Sequence, residues 1–156
     1  MQSEATLIPG NIGLAQTERD RRAARWFHPF HDRVSAFLDA RLAAARPTRI
    51  VTVHSFTPVF LGVARPWLAG VLYRRSTDYG AALVGALGGE AAGVAHNQPY
   101  QIDSTSDYSV PVHGEARGLD AVLVELRQDL VGTAEGAADW AARLAAALTK
   151  TERFGR

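Results

Sequence analysis

A short β-branched run at residues 50–53 is the clearest signal of regular structure in this sequence. It predicts a buried strand, and Pro58 prevents its continuation as a central strand because proline has no amide hydrogen for the ladder. His54 and Ser55 then stand at the carboxyl end of the strand, where open α/β sheets bind ligands. An imidazole there suits a metal ligand or a general base, and equally a histidine that only forms a hydrogen bond.

The composition indicates an ordinary globular protein. Of the 156 residues, 47% are hydrophobic and 21% are charged, so we expect a single domain over residues 1–156 with a sizeable core. The net charge of +1 lacks the basic excess of a nucleic-acid-binding protein. Because cysteine is absent, disulfides and thiolate metal sites are excluded, and any metal must be held by histidine and carboxylate.

No stretch approaches the roughly 20 consecutive apolar residues that a membrane-spanning helix needs. Residues 1–10 also lack the charged and apolar regions of a secretory signal. We therefore expect a soluble cytoplasmic protein without a membrane or nucleic-acid partner. The oligomeric state stays open at this point.

The hydrophobic pattern predicts alternating helices and strands. Helices are predicted over residues 17–42, 77–87 and 134–150. Strands are predicted at residues 49–54, 71–73, 93–95 and 121–126, and loops at residues 55–69 and 101–118. Thr17 and Thr133 are the expected N-caps of two helices, and Pro29 should kink the first helix or begin a new one. Strands separated by helices predict an α/β fold with a mostly parallel or mixed sheet flanked by helices.

Apolar residues recur at three- and four-residue spacing along the first predicted helix. They are Trp26, Phe27, Phe30, Val34, Phe37, Leu38 and Leu42. This stripe predicts an amphipathic helix that packs on a core. His28 and His31 would share one face of this helix, where such a pair can bind a metal but is more commonly structural.

Glu125 lies inside the strongly apolar predicted strand at residues 121–126. A carboxylate in that position is costly to bury without a partner, so it needs an explanation. One explanation is an ion pair at the sheet edge, either with Arg127, which stands on the same face of the strand, or with another arginine. Another is a catalytic acid or base whose pKa is raised by its surroundings. The residues alone leave both open.

Six motifs occur in order along residues 9–130. They are Pro9-Gly10-Asn11, Pro29-Phe30-His31, Val53-His54-Ser55-Phe56-Thr57-Pro58, Arg65-Pro66-Trp67, Asn97-Gln98-Pro99-Tyr100 and Val124-Glu125-Leu126-Arg127-Gln128-Asp129-Leu130. As a set they resemble the N-formylglutamate amidohydrolase (N-formylglutamate deformylase) family. The resemblance implies a zinc-carboxypeptidase-like fold and the hydrolysis of an N-acyl amide on an acidic amino acid, typically N-formyl-L-glutamate to L-glutamate and formate. Another N-acyl amino acid hydrolase or a carboxypeptidase-like hydrolase is the alternative enzyme.

The resemblance also implies a catalytic centre. His54 would be a ligand of zinc, or of another divalent metal, which can lower the pKa of bound water to about 7. Glu125 would be the general base that takes a proton from this water and the acid that returns it to the leaving nitrogen. His113 would lie near the reacting centre.

An acidic substrate further requires positively charged and polar partners. Planar guanidinium groups bind carboxylates through paired hydrogen bonds, so Arg65 and Arg127, with Arg74, are the candidates for binding the substrate carboxylates. Asn97 and Tyr100 would hydrogen-bond to the substrate.

Members of the family usually carry a further segment ahead of the turn at Pro9, with an Asp-His or Glu-His motif that supplies the remaining zinc ligands. No such motif precedes Pro9 in this sequence. We therefore expect the carboxyl-terminal portion of the family's fold, with His54 as the ligand at the expected place. The alternative is a catalytically incomplete paralogue or fragment that acts as a binding module for acidic ligands.

Overall fold

A computed structural model describes residues 2–3, 6–105 and 107–152. The chain divides into two compact units, Met1–Thr48 and Arg49–Arg156. None of the helices among the described residues is both long enough and apolar enough to cross a membrane.

The first unit is mainly helical. Its elements are the antiparallel strands β1 (Gln2–Ser3) and β2 (Thr6–Leu7), a 3-10 turn (Pro9–Asn11), and helices α1 (Gln16–Arg22) and α2 (His28–Ala43), which a π-helical turn (Ala23–Phe27) joins. The prediction of Thr17 as an N-cap is wrong, because α1 begins one residue earlier and Ala15 is its N-cap. Pro29 lies in the first turn of α2, as predicted, directly after the π-helical turn that joins α1 to α2.

The apolar stripe of the first unit does not pack on a core as predicted. Among the described residues of this unit only Leu38 is buried, whereas Trp26, Phe30 and Phe37 are exposed. A single buried side chain does not make a core, so the periodicity identified the helix correctly but not its packing partner.

The second unit is built on a four-stranded mixed sheet. Its elements in chain order are β3 (Ile50–Phe56), β4 (Val59–Phe60), β5 (Val63–Ala64), β6 (Ala69–Leu72), α3 (Thr77–Ala86), β7 (Val94–His96), β8 (Ala121–Arg127) and α4 (Ala134–Thr151). The strand order is β3-β8-β6-β7. The β3–β8 and β6–β7 pairs are parallel, and β6 and β8 are antiparallel. The predicted α/β fold with a mixed sheet flanked by helices is therefore confirmed.

Three details of the predicted strands and loops need correction. Within the described residues β3 pairs only with β8, so it is an edge strand, and Val53 is 52% exposed rather than buried. The predicted loop at residues 55–69 contains the end of β3 and the antiparallel pair β4–β5. The predicted loop at residues 101–118 contains a π-helical turn (Ser109–Gly114) and a 3-10 turn (Glu115–Arg117). Such short elements carry too little periodicity to be predicted.

Alternate residues of β8 enter two different hydrophobic clusters, because successive side chains of a strand point to opposite faces. Val122, Val124 and Leu126 pack with residues of α3 and α4. Ala121 and Leu123 pack on the other face of the sheet. There Leu72, Ile102 and Val110 complete the cluster. Glu125 follows Leu123 by two residues, so its carboxylate belongs to this second face, away from α3 and α4.

Helix α4 begins as predicted. The Thr133 hydroxyl accepts a hydrogen bond from the Gly136 amide at 3.1 Å, which satisfies one of the free amides at the helix start. Trp140 and Ala147 are buried from this helix and anchor it against the sheet.

Candidate functional site

The centre of the candidate site is formed by one residue from each of two neighbouring strands. His54 of β3 and Glu125 of β8 are register partners in the parallel ladder. Register partners extend from the same face of a sheet, so the two side chains converge. The distance from His54 Nδ1 to Glu125 Oε1 is 3.9 Å. The strand pairing thus brings together the imidazole and the carboxylate that the sequence singled out.

The Glu125 carboxylate is buried without full compensation. Its side chain is 7% exposed, and Oε2 is buried with no hydrogen-bond partner among the described residues. Burial raises the pKa of Glu125 to about 7; the charge of Arg65 opposes this rise and that of Asp107 adds to it. A carboxyl group with a pKa near 7 can both accept and release a proton at neutral pH.

Of the two explanations for Glu125, the ion pair with Arg127 is not the one found. Arg127 instead pairs with Asp129, with Nε 2.8 Å from Oδ1 and Nη2 3.2 Å from Oδ2. The reason is local: β8 ends at Arg127, and the 3-10 turn that follows (Gln128–Leu130) brings Asp129 back beside its guanidinium group. Glu125 therefore keeps its raised pKa.

The His54 imidazole differs from Glu125 in its exposure to solvent. Its side chain is 61% exposed at the carboxyl end of the edge strand β3. An external group can therefore reach the ring, while the Glu125 carboxylate beside it is largely shielded from solvent.

Arg65 is the buried cation of the site. It is 8% exposed, and Nη1 donates a hydrogen bond to the Tyr100 hydroxyl at 2.9 Å. The guanidinium group lies 4.5 Å from the Phe60 ring centre and 4.9 Å from that of Tyr100. The Arg65 amide donates to the Pro58 carbonyl at 2.8 Å, which closes the β4–β5 pair and turns this residue inward.

The three candidate arginines differ in their partners. Arg74 lies 3.1 Å from a Glu115 oxygen, and Arg127 is paired with Asp129. Arg65 pairs with no carboxylate among the described residues, and its charge acts on Glu125. An unpaired buried guanidinium is unfavourable, and contact with aromatic rings offsets this only in part. Arg65 is therefore the candidate whose charge is left for a carboxylate ligand.

The segment from Asn97 to Tyr100 is fixed against the sheet. Asn97 adopts a left-handed conformation with φ 51°, and its amide donates to the Val71 carbonyl at 3.0 Å. The Asn97 side-chain oxygen accepts from the Tyr73 amide at 2.9 Å. Its side-chain NH2 group donates to none of the described residues, so donors remain for a ligand. The Gln98–Pro99 peptide bond that follows is cis.

His113 is buried in the π-helical turn, 2% exposed, with its ring edge-on to Tyr108 at 5.4 Å between centres. The next residue, Gly114, packs against Ala121 at the start of β8. Ala121 lies four residues before Glu125, which is about 13 Å along a strand. The structure thus anchors this turn at the opposite end of the strand from Glu125, and a catalytic role for His113 stays a prediction.

Asp107 is a residue that the sequence analysis missed. Its charge raises the pKa of Glu125, and its carboxylate accepts a hydrogen bond from the Asp103 amide at 2.7 Å. It stands in a stretch predicted only as a loop, where no periodicity or spacing distinguishes one acidic residue from another. Its influence on Glu125 follows from tertiary structure alone.

The described residues do not form a complete zinc site. No group of three or more His, Cys, Asp or Glu side chains in this part of the chain could hold a metal ion. A catalytic zinc takes three protein ligands and keeps one open position. His54 and Glu125 could supply two donors at most, so these residues alone do not fit a catalytic zinc ion.

Comparisons with known proteins identify the family of the chain. The structure is similar to the crystal structure of gene product Atu2144 from Agrobacterium tumefaciens, with a TM-score of 0.83 and 33% sequence identity. The similarity covers 97% of this chain and 62% of that chain, so this chain spans less than two thirds of its solved relative. No curated protein matches the sequence. The sequence model of the N-formylglutamate amidohydrolase family matches residues 1–132. This chain therefore belongs to the N-formylglutamate amidohydrolase family.

Proposed function

We propose that Glu125 and Arg65 are the proton-transfer group and the substrate-binding group of a hydrolase that cleaves N-acyl amides of acidic amino acids. N-formyl-L-glutamate is the substrate that the family description indicates. The observation that carries the proposal is a buried carboxylate with a pKa of about 7, beside an exposed imidazole. Near it lies a buried arginine that pairs with no carboxylate in the part of the chain that the structure describes.

Glu125 has the protonation behaviour that amide hydrolysis needs. In the reaction the oxygen of water bonds to the formyl carbon and the bond from that carbon to nitrogen breaks. Glu125 takes a proton from the attacking water and delivers it to the leaving nitrogen, so the carboxylate is regenerated. One water is consumed, and the products are formate and the free amino acid.

The substrate carboxylates account for the polar groups around Glu125. Arg65 would bind one carboxylate through Nε and Nη2, since Nη1 already contacts Tyr100. Tyr100 and the Asn97 NH2 group would contact the substrate, with Arg127 as a further candidate. His113 remains a candidate for the catalytic centre.

We also propose His54 as one ligand of a zinc ion. When bound, zinc would polarise the formyl oxygen and make hydroxide available at neutral pH. The further ligands would have to come from outside the described residues. Metal analysis of the purified chain, with and without the substitution His54→Ala, tests this assignment.

The test of the function measures formate release from N-formyl-L-glutamate and, in parallel, ligand binding by calorimetry. Glu125→Gln should abolish turnover but keep binding, because the amide cannot transfer the proton. Arg65→Met should weaken binding by about 10- to 100-fold, the effect expected for losing a charged hydrogen-bonding partner. Arg143→Gln is the matched control, since Arg143 stacks on Trp140 of α4 on the other side of the sheet.

The outcomes separate the alternatives. Full turnover by Glu125→Gln would refute the role of this carboxylate. Binding of N-formyl-L-glutamate without turnover, in the presence of zinc, would support the alternative of a binding module for acidic ligands. Faster cleavage of a longer peptide or of another N-acyl amino acid would identify a different hydrolase on the same fold.

A further inference from the structure

Gly70 of β6 occupies a position directly beside the candidate site. In the antiparallel ladder it is the register partner of Glu125, so the two residues lie side by side on neighbouring strands. The carbonyl oxygen of Gln98 lies where a side chain at position 70 would begin, and a Cβ atom there would overlap it. The φ angle of Gly70 is not in the left-handed region. Close approach of another backbone is therefore what requires glycine here.

The backbone that approaches Gly70 carries two groups of the site. The Asn97 amide donates to the Val71 carbonyl of β6, and the Asn97 side-chain oxygen accepts from the Tyr73 amide. These two hydrogen bonds fix the segment just before Gln98. Two residues after Gln98, the Tyr100 hydroxyl accepts the hydrogen bond from Arg65. The segment that lies over Gly70 therefore also carries Tyr100.

We propose that Gly70 is a positioning residue: its missing side chain lets the segment from Asn97 to Tyr100 lie on the sheet beside Glu125, and so places Tyr100 against Arg65. The consequence for substrate rests on the function proposed above, whereas the consequence for Arg65 does not. Gly70 touches no substrate in this assignment and acts through Tyr100.

The geometry indicates how large the disturbance is. In Gly70→Ala the Gln98 oxygen has to move by more than about 1 Å before its contact with Cβ becomes tolerable. The hydrogen bond from Arg65 to Tyr100 is 2.9 Å long, and hydrogen bonds of this kind span only about 2.7–3.2 Å, so it tolerates little lengthening. A displacement of that size carried to Tyr100 breaks this bond.

The first experiment needs no substrate. The side-chain Nε–H resonance of Arg65, assigned by its loss in Arg65→Lys, is followed by nuclear magnetic resonance in Gly70→Ala, Tyr100→Phe and the double variant. We expect Gly70→Ala to shift this resonance in the same direction as Tyr100→Phe, and the double variant to add little. Gly85→Ala is the control, because a Cβ atom there meets nothing within 4 Å. A folded Gly70→Ala with the parental Arg65 resonance would overturn the proposal.

The second experiment measures the affinity for N-formyl-L-glutamate by calorimetry. Gly70→Ala and Tyr100→Phe should each weaken binding by about 3- to 10-fold, and their combination by no more than either alone. Additive losses would show that Gly70 does not act through Tyr100. If the parent protein neither binds nor cleaves this compound, the proposed function fails, and the Arg65 resonance still decides the role of Gly70.

A second variant, Asn97→Gly, tests the same proposal if Gly70→Ala does not fold. Asn97→Gly keeps the left-handed backbone, which glycine adopts readily, and removes the oxygen that accepts from the Tyr73 amide. It should also shift the Arg65 resonance towards that of Tyr100→Phe. An unchanged resonance would show that the segment does not control Arg65.

Discussion

Replacing Glu125 by glutamine should stabilise the protein at pH 8 but not at pH 4. The pKa of Glu125 is about 7 in the folded protein, raised by burial from 4.5. Between these two values the folded state holds more protons than the unfolded state, so its stability falls as the pH rises. The destabilisation is absent below about pH 4.5 and complete above about pH 7.

The size of the effect follows from the rise in pKa. One pKa unit corresponds to 1.36 kcal/mol, so a rise from 4.5 to about 7 corresponds to about 3 kcal/mol of unfolding free energy. Glutamine has nearly the same shape and no charge at any pH. The difference in stability between Glu125→Gln and the parent should therefore grow by about 3 kcal/mol from pH 4 to pH 8.

Urea denaturation of both proteins at pH 4 and pH 8 measures this difference. At the usual dependence on urea of about 1–3 kcal/mol per molar, the midpoint of the variant at pH 8 should lie about 1–3 M higher. A chelator is included so that no metal neutralises the carboxylate. Other titrating groups are common to both proteins and cancel in the comparison.

Glu115→Gln is the matched control. The Glu115 side chain is 4% exposed like that of Glu125, but it lies 3.1 Å from Arg74 and 3.8 Å from Arg75. Its replacement should destabilise the protein at pH 8, because two arginines lose their partner. The reasoning from burial is refuted if Glu125→Gln differs from the parent by the same amount at both pH values.

Three further substitutions test the packing of the second unit by thermal denaturation. Gly85→Ala should stabilise α3 by up to about 1 kcal/mol, because the added methyl group meets nothing and alanine favours the helix. Gly80→Ala in the same helix should destabilise by about 1–3 kcal/mol, because its methyl group would overlap the Tyr73 ring. Thr133→Ala should cost about 1 kcal/mol, because the Gly136 amide loses its cap; an unchanged melting temperature would contradict this.

Local patterns predicted the elements whose signals are contained in consecutive residues. The apolar run of β8, the cap at Thr133 and the start of a helix near Pro29 depend on neighbouring residues, and each is found in the structure. A raised pKa of Glu125 was one of the two explanations that the sequence left open, and the burial of β8 in the structure decides for it. The ordered motifs were enough to identify the family.

The partner of each charged side chain could not be predicted in the same way. An ion pair between Arg127 and Glu125 was one of two explanations left open by the sequence, yet Arg127 pairs with Asp129. Of the three candidate arginines, Arg65 has no carboxylate partner among the described residues. The effect of the Asp107 charge on the pKa of Glu125 could not be predicted from the sequence either. These pairings depend on turns and loop paths that bring distant residues together.

The sequence by itself determined the α/β class, the main helices and strands, and the two residues at the centre of the site. Only the tertiary structure decided that His54 and Glu125 stand in register, that β3 lies at an edge, and that Gly70 makes room for the Gln98 carbonyl. The physical reason is the distance along the chain between the residues that interact. Periodicity and capping are set within a few residues, whereas strand register and close backbone approach are settled by packing between segments far apart in the chain.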